Sequence, residues 1–329
     1  MKNEKRILGY LIHLGSNMWR DTPLSEAAPD ATDHVLMRCC ADYNRCDEAV
    51  WRRITDHAAA NGFNTLIIDL GEGIEYPSRP ELAVRGSWSP DKLHKELSRL
   101  RAMGLEPIPK LNFSATHDTW LGDYHRMVST PEYYRVCEDV IRDAYELFDR
   151  PRLFHIGYDE ETAWHQQWHR TAVIRQGELW WHDFLKIEAF VESLGTRPWI
   201  WSDKIWHHEE EFLRRMPKTV LQSNWYYDAE FTDEELSAAK ASDTRKAYVR
   251  AYRTLEKHGY DQVPAASNWG CDVNFANTVK HCRKWIAPER LKGFMTAPWW
   301  LTERKKEAKC LAAIDLAAAA MADLKTEWR

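Results

Sequence analysis

The stretch Arg152–Glu160, RLFHIGYDE, is a short apolar run that ends in two neighbouring carboxylates. Seven other runs of this kind recur along the chain, each bounded by Gly, Pro or polar residues. They are RILGYLIHLG (6–15), FNTLIIDLG (63–71), LEPIPKLNF (105–113), RPWIWSD (197–203), TVLQSNWYY (219–227), QVPAASNWG (262–270) and LKGFMTAPWW (291–300). Short apolar runs with such boundaries are typical of buried parallel strands.

Segments with helical periodicity lie between these runs. Two of them carry clear start signals and end at a glycine: CDEAVWRRITDHAAANG (46–62) is capped by Asp47, and SPDKLHKELSRLRAMG (89–104) starts with Ser89-Pro90. The others are 130–148, 177–195, 207–216, 243–259, 275–286 and 302–325. Eight strand–helix repeats predict an α/β fold, a (β/α)8 TIM barrel that forms a single domain over residues 1–329.

A doubly wound open sheet is the alternative architecture. It is disfavoured because no Gly-rich phosphate-binding loop follows the first strand. Pro107 and Pro109 in the third run and Pro264 in the seventh are awkward inside parallel strands, because proline has no N–H to donate. These prolines weaken two strand predictions without changing the count.

Composition narrows the classes of function. The net charge is −5 with both signs interspersed, so we expect no binding to nucleic acid, and no apolar stretch is long enough to span a membrane. The seven cysteines are irregularly spaced, which favours reduced thiols in a cytoplasmic protein. The basic, partly apolar start is better explained as a first strand than as a signal peptide; a secreted or periplasmic location would require a leader that had already been removed.

The polar and aromatic residues gather at the C-terminal ends of the predicted strands, where barrel active sites lie. They are His13, Asn17, Asp69, Glu72, Lys110, Asn112, His117, His155, Asp159, Glu160, Trp201, Asp203, Asn224, Trp225, Tyr226, Tyr227, Asn268, Trp269, Trp299, Trp300 and Glu303. The chain holds 17 tryptophans, and sugar rings present flat C–H faces that stack on indoles. This concentration favours a carbohydrate cleft over simple packing, so we expect a carbohydrate partner.

The carboxylates Asp159 and Glu160 are the predicted catalytic pair. Glycoside hydrolysis needs an acid to protonate the leaving oxygen and a second group to support an oxocarbenium-like transition state. Neighbours on an ideal strand point to opposite faces. At the transition from strand to loop, both can turn into the mouth of the barrel.

The segment His155–Glu160, HIGYDE, resembles the H-x-G-G-D-E signature of glycoside hydrolase family 20, the β-N-acetylhexosaminidases, and of a related clan that includes β-N-acetylgalactosaminidases. Pro109–Asn112 with Thr116-His117, and Gly293–Glu303, are similar to further motifs of that family. The resemblance implies a retaining exo-acting enzyme in which the 2-acetamido oxygen of the substrate attacks the anomeric carbon. It implies no metal and no organic cofactor, and it favours N-acetylgalactosamine over N-acetylglucosamine.

The resemblance also assigns roles. Glu160 is the general acid and base, and Asp159 orients the acetamido group. Tyr226 or Tyr227 donates a hydrogen bond to the acetamido oxygen. Indoles at Trp201, Trp225, Trp269 and Trp300 wall the sugar, and Asp69 and Glu303 are candidates for its hydroxyls.

Three departures from the family pattern carry further expectations. Tyr158 replaces a glycine of the signature, which we expect to narrow the mouth or add a hydroxyl there. Lys110 and Asn112 stand where the family has acidic residues. No arginine ends the first strand, although Arg20 lies in the loop that follows it.

Two other functions and one other segment stay open. The barrel can cut a sugar without an acetamido group, using Glu160 with Asp203 or Glu303, or it can bind sugars without catalysis. The loop 16–46 has no clear periodicity, and loops of that length are usually functional. We expect it to lie over the mouth, where it supplies substrate contacts or the contact of a homodimer.

Overall fold

The computed structural model describes residues 5–322, and the end of the predicted C-terminal helix beyond residue 322 lies outside them. The strands are β1 (Ile7–His13), β2 (Thr65–Asp69), β3 (Glu106–Lys110), β4 (Leu153–His155), β5 (Arg197–Trp201), β6 (Leu221–Ser223), β7 (Ala265–Ala266) and β8 (Gly293–Thr296). The helices are α1 (Asp33–Arg38), α2 (Glu48–Ala60), α3 (Pro90–Ala102), α4 (Pro131–Leu147), α5 (Gly177–Ser193), α6 (Lys204–His207), α7 (Glu209–Arg215), α8 (Asp233–Ala238), α9 (Asp243–Lys257), α10 (Asn274–Trp285) and α11 (Glu307–Met321).

The eight strands form one parallel sheet in the order β6-β5-β4-β3-β2-β1-β8-β7. Parallel bridges pair Gln222 with Gln262 and Trp225 with Ala265, which joins β6 to the β7 segment and closes the sheet. Each strand is followed by at least one helix. The predicted (β/α)8 TIM barrel is therefore confirmed.

The prolines of β3 face β4, the neighbouring strand with which β3 forms few residue pairs. The Glu106 amide donates to Asn64 beside β2, and the Leu111 amide donates to His155 on β4, so the positions of Pro107 and Pro109 face β4. Between β3 and β4 the register holds a single residue pair, Lys110 with His155. The missing amide donors of Pro107 and Pro109 therefore cost few hydrogen bonds between strands. Pro264 lies just before β7, which has only two residues, and so is outside the strand itself.

Strand alternation divides the core into two parts. Twelve buried residues fill the barrel, among them Leu11, Ile67, Ile108 and Trp199. Their neighbours in sequence point outward into a larger cluster between the sheet and the helices. This two-residue period decides which side chain at each strand end faces the mouth of the barrel.

The long loop after β1 is more ordered than its sequence predicts. It contains the six-residue helix α1, whose N-terminus is capped by the Thr32 side chain. The Asn17 side chain bonds the backbone of Ala41 in both directions at 2.8 Å, and Glu72 accepts hydrogen bonds from the Ser16 and Asn17 amides. The loop is thus tied to the barrel at its base. Within residues 5–322, no helix has the length and apolar character to cross a bilayer.

Candidate active site

The backbone after β4 turns Asp159 and Glu160 toward the same cavity. The φ angles of Gly157, Tyr158 and Glu160 are 72°, 71° and 56°, all in the left-handed region. Non-glycine residues adopt such angles rarely, and where they do the site is often functional. The left-handed backbone conformation of Glu160 breaks the alternation in which neighbouring side chains point to opposite faces. Both carboxylates therefore line one pocket, as the sequence predicts.

Asn112 at the end of β3 holds this turn in place. Its Oδ1 accepts hydrogen bonds from the Tyr158 and Ser114 amides at 3.1 Å each, and its Nδ2 donates to Asp159 Oδ1 at 2.7 Å. A Cβ atom on Gly157 would lie 2.1 Å from the same Oδ1. Glycine is therefore required at position 157 both by its φ angle and by the approach of Asn112.

His117 bridges the two carboxylates. Its Nε2 lies 3.4 Å from Asp159 Oδ2 and 3.3 Å from Glu160 Oε2. Burial lowers the pKa of His117, but the charges and hydrogen bonds of Asp159 and Glu160 outweigh burial and raise the pKa to about 10. The imidazole is therefore a cation at neutral pH. The ligating atoms of these three residues lie within 4.8 Å of one another, so the cluster could also hold a metal ion in place of that proton.

The surroundings of Glu160 and Asp203 shift the pKa values of these two carboxyl groups in opposite directions. Burial raises the pKa of Glu160, but His117 and His165, whose Nε2 lies 3.3 Å from Oε1, bring that pKa well below its ordinary value. Asp203 Oδ2 accepts a hydrogen bond from the Glu160 amide at 2.9 Å. Burial and the charges of Asp159 and Glu160 raise the pKa of Asp203 to about 8. At neutral pH Glu160 is ionised and Asp203 is mostly protonated.

The pocket has a volume of about 290 Å³. The predicted site residues that line it are Asn112, His117, Asp159, Glu160, Trp225, Tyr227 and Trp269. Five further residues complete the wall, and of these the sequence singled out only Trp299, at the end of the eighth strand: Met18, Trp19, Met37, Arg38 and Trp299. Four of these five come from the loop 16–46, which lies against the mouth of the barrel as expected.

Arg38 supplies a cation to the pocket wall. It stands on the last turn of α1, and its charge interacts with Glu160. Burial lowers the pKa of Arg38 from the ordinary arginine value, and arginine in proteins stays protonated at neutral pH. Arg20, the arginine noted in the sequence, instead lies over the ring of Trp168, 5.2 Å from its centroid.

Tyr227, rather than Tyr226, faces the pocket. Tyr226 packs against Phe231 on the helix side, and its hydroxyl accepts a hydrogen bond from Arg245. The Tyr227 hydroxyl accepts a hydrogen bond from Trp299 Nε1 at 3.0 Å. That bond occupies the acceptor side of the hydroxyl and leaves its proton available for a ligand.

Five predicted substrate contacts lie under the pocket instead of lining it. They are His13, Asp69, Lys110, His155 and Trp201, each 2% exposed or less. The Lys110 ammonium donates to Asp69 at 2.6 Å, and His13 lies 3.4 Å from the same carboxylate. The His155 ring lies 4.7 Å from that of Trp201, and burial keeps its pKa well below the ordinary value, so it is neutral. This layer supports the pocket floor.

Three further predictions are corrected by the strand alternation and by an ion pair. Tyr158 does not narrow the mouth, because it faces the helices and packs edge-on against Trp180 and Phe184. Trp300 packs at a tilt of 35° against Trp269 and does not line the pocket, whereas Trp299 does. Glu303 lies outside the pocket and forms an ion pair with Arg45, in which the guanidinium nitrogen lies 2.7 Å from Glu303 Oε1. This ion pair fixes the end of the loop 16–46.

Comparison with known proteins shows a likeness in structure alone. Neither a protein-family model nor a curated protein matches the sequence. The fold is similar to that of a β-N-acetylhexosaminidase from Bacteroides fragilis NCTC 9343, with a TM-score of 0.62 and 12% identity over 95% of this chain and 65% of that one. It is similar to the GH20 β-N-acetylhexosaminidase from Streptomyces coelicolor A3(2), with a TM-score of 0.60 and 13% identity over 97% and 66%.

A third similar structure is Dispersin B, with a TM-score of 0.55 and 12% identity over 84% of this chain and 95% of that one. The chain thus spans less than two thirds of the first two proteins and most of the length of the third. At these identities the likeness establishes a shared fold. It agrees with the resemblance of His155–Glu160 to the family signature.

Proposed function

We propose that the chain is a retaining exo-β-N-acetylhexosaminidase that uses the 2-acetamido group of its substrate as nucleophile. The observation that carries the proposal is the convergence of Asp159 and Glu160 on one pocket walled by Trp19, Trp225 and Trp299. The pocket volume of about 290 Å³ lies at the lower end of the roughly 300–1,000 Å³ found for small-molecule pockets, which suits a ligand as small as a single sugar ring. N-acetylgalactosamine is the sugar we place first, on the family likeness.

In this proposal Asp159 and Tyr227 act on the acetamido group. Asn112 and His117 fix the Asp159 carboxylate, which orients the acetamido nitrogen and stabilises the positive charge of the oxazolinium intermediate. Tyr227 directs its hydroxyl proton to the acetamido oxygen because Trp299 already occupies its acceptor side. The acetamido oxygen forms a bond to the anomeric carbon as the glycosidic bond breaks.

The proton for the leaving oxygen comes from His117 through Glu160. A general acid normally needs a raised pKa, whereas Glu160 is ionised in the free site. His117 carries a proton at neutral pH and contacts Glu160 Oε2, so it can protonate the carboxylate as the leaving oxygen accepts a proton from it. Water then attacks the anomeric carbon and opens the intermediate with retention; it releases a proton to Glu160, which passes it to His117 and so restores the starting state.

Chromogenic β-glycosides test the reaction. The protein should release nitrophenol from N-acetyl-β-galactosaminide or N-acetyl-β-glucosaminide and not from plain β-galactoside or β-glucoside. Glu160→Gln should lower kcat by about 10²–10⁴-fold while binding of an acetamido-thiazoline inhibitor is retained. The matched control is Glu146→Gln on the last turn of α4, at the opposite end of the barrel. Hydrolysis of the plain glycosides alone would overturn substrate assistance.

A further inference from the structure

Two tryptophans stand out in solvent beside the pocket. Trp164 is 73% exposed and Trp168 is 58% exposed, more than any other large hydrophobic residue that the structure describes. Single exposed apolar residues are common on protein surfaces. Trp164 and Trp168 are instead two exposed indoles four residues apart, on the segment that follows the carboxylate pair, and clustered exposed apolar groups often mark a binding surface.

Both rings adjoin the pocket through their neighbours. His165, next to Trp164 in the chain, lies 3.3 Å from Glu160 Oε1. The ring of Trp168 lies under the Arg20 guanidinium, and Arg20 follows Trp19, which lines the pocket. The segment that carries the two indoles therefore lies beside Glu160 and beside the start of the loop 16–46.

The segment that carries the rings is firmly anchored. The Gln166 side chain, 1% exposed, donates to the Val173 carbonyl and accepts from the Val173 amide at 2.6 Å each, and it contacts Thr116 Oγ1 at 3.2 Å. The Arg170 amide donates to Asp21 Oδ1 at 2.8 Å. Because the backbone of this segment is already held in place, a ligand that stacks on the rings does not have to order it.

We propose that Trp164 and Trp168 form a platform for the sugar units on the leaving-group side of the scissile bond. The inference rests on the proposed function and deepens it. The pocket holds one ring, and Glu160 must lie beside the leaving oxygen, so the remainder of the substrate leaves the pocket past Glu160 and over these indoles. The substrate class is then a carbohydrate chain ending in a β-linked N-acetylhexosamine.

The test compares aglycones in wild type, Trp164→Ala, Trp168→Ala and the double variant. The probes are a β-linked N-acetylhexosamine disaccharide, the corresponding trisaccharide and the methyl glycoside of the same sugar, in the galactosamine and glucosamine series. The double variant should lose about tenfold in kcat/KM on the two oligosaccharides and remain within about twofold of wild type on the methyl glycoside. The matched control, Trp285→Ala, removes an indole that is 41% exposed at the end of α10, the helix that follows β7. Equal losses on all three probes, or no loss on the oligosaccharides, would overturn the platform.

Calorimetry separates failure of the platform from failure of the proposed function. Trisaccharide and monosaccharide are titrated into Glu160→Gln with and without the two tryptophan changes. One outcome would support the platform and contradict the proposed reaction. In that outcome no glycoside is hydrolysed, and the tryptophan changes weaken binding of the trisaccharide but not of the monosaccharide. A trisaccharide that binds no tighter than the monosaccharide refutes the platform, whatever the kinetic result.

Discussion

His117→Gln tests whether a buried cation holds the carboxylate pair. The pKa of His117 rises from 6.5 to about 10 on folding, and each pKa unit corresponds to about 1.4 kcal/mol, which sets a ceiling of about 5 kcal/mol. Removing one partner of a buried ion pair typically costs roughly 3–5 kcal/mol. Because the folded pKa is the higher one, this stabilisation is complete below pH 6.5 and is lost as pH rises through about 10.

Urea unfolding followed by tryptophan fluorescence at pH 6, 8 and 10 measures the effect at constant ionic strength. The free-energy gap between wild type and His117→Gln should be about 3 kcal/mol or more at pH 6 and should shrink toward pH 10. Asp203 titrates in both proteins, so the gap mainly reports His117. His94→Gln, a change of the same kind on the exposed face of α3, should leave the free energy nearly unchanged. A gap of equal size at pH 6 and pH 10 would refute the ionised state assigned to His117.

Three further predictions concern the pocket wall, the loop and the buried acid. Tyr227→Phe should lower kcat on a chromogenic N-acetylhexosaminide about a hundredfold, since it removes a donor to developing charge; an unchanged kcat would exclude that donor. Glu303→Gln weakens the bond to Arg45, so KM should rise and the thermal midpoint should fall by a few degrees, and Glu303→Ala should do so more strongly. Asp203→Asn should be more stable than wild type at pH 9 and equal at pH 4, because a folded pKa of about 8 makes stability fall between pH 3.8 and 8; denaturant titrations at the two pH values decide it.

The barrel and the position of the catalytic pair were predictable because both depend on repeated local patterns. Eight apolar runs, each followed by a helical segment, leave few topologies, and the end of β4 is a strand end in any of them. The pocket wall is harder to predict, because the alternation of side chains continues past the last residue of each strand. Counting in twos from Leu221 reaches Trp225 and Tyr227, and counting from Met295 reaches Trp299, whereas Tyr226 and Trp300 fall on the other face.

Other residues of the pocket carry no such local signal. Arg38 and Met37 enter the pocket from α1, a short helix in a loop whose path depends on long-range contacts such as that between Arg45 and Glu303. The pairing of Asp69 with Lys110 is equally non-local, since it joins two strands 41 residues apart in sequence. Strand-end position alone could not show that this ion pair lies below the pocket floor.

The contact between Gly157 and Asn112 limits how this site can change by single substitutions. Any side chain at position 157 collides with Asn112, and any smaller residue at position 112 releases Asp159 and two backbone amides. A substitution at either position is therefore unfavourable while the other residue is unchanged, and only a simultaneous replacement of both allows a new arrangement. A library that samples one position at a time should return these two as invariant, and a paired library is the one that can reshape the acetamido side of the pocket.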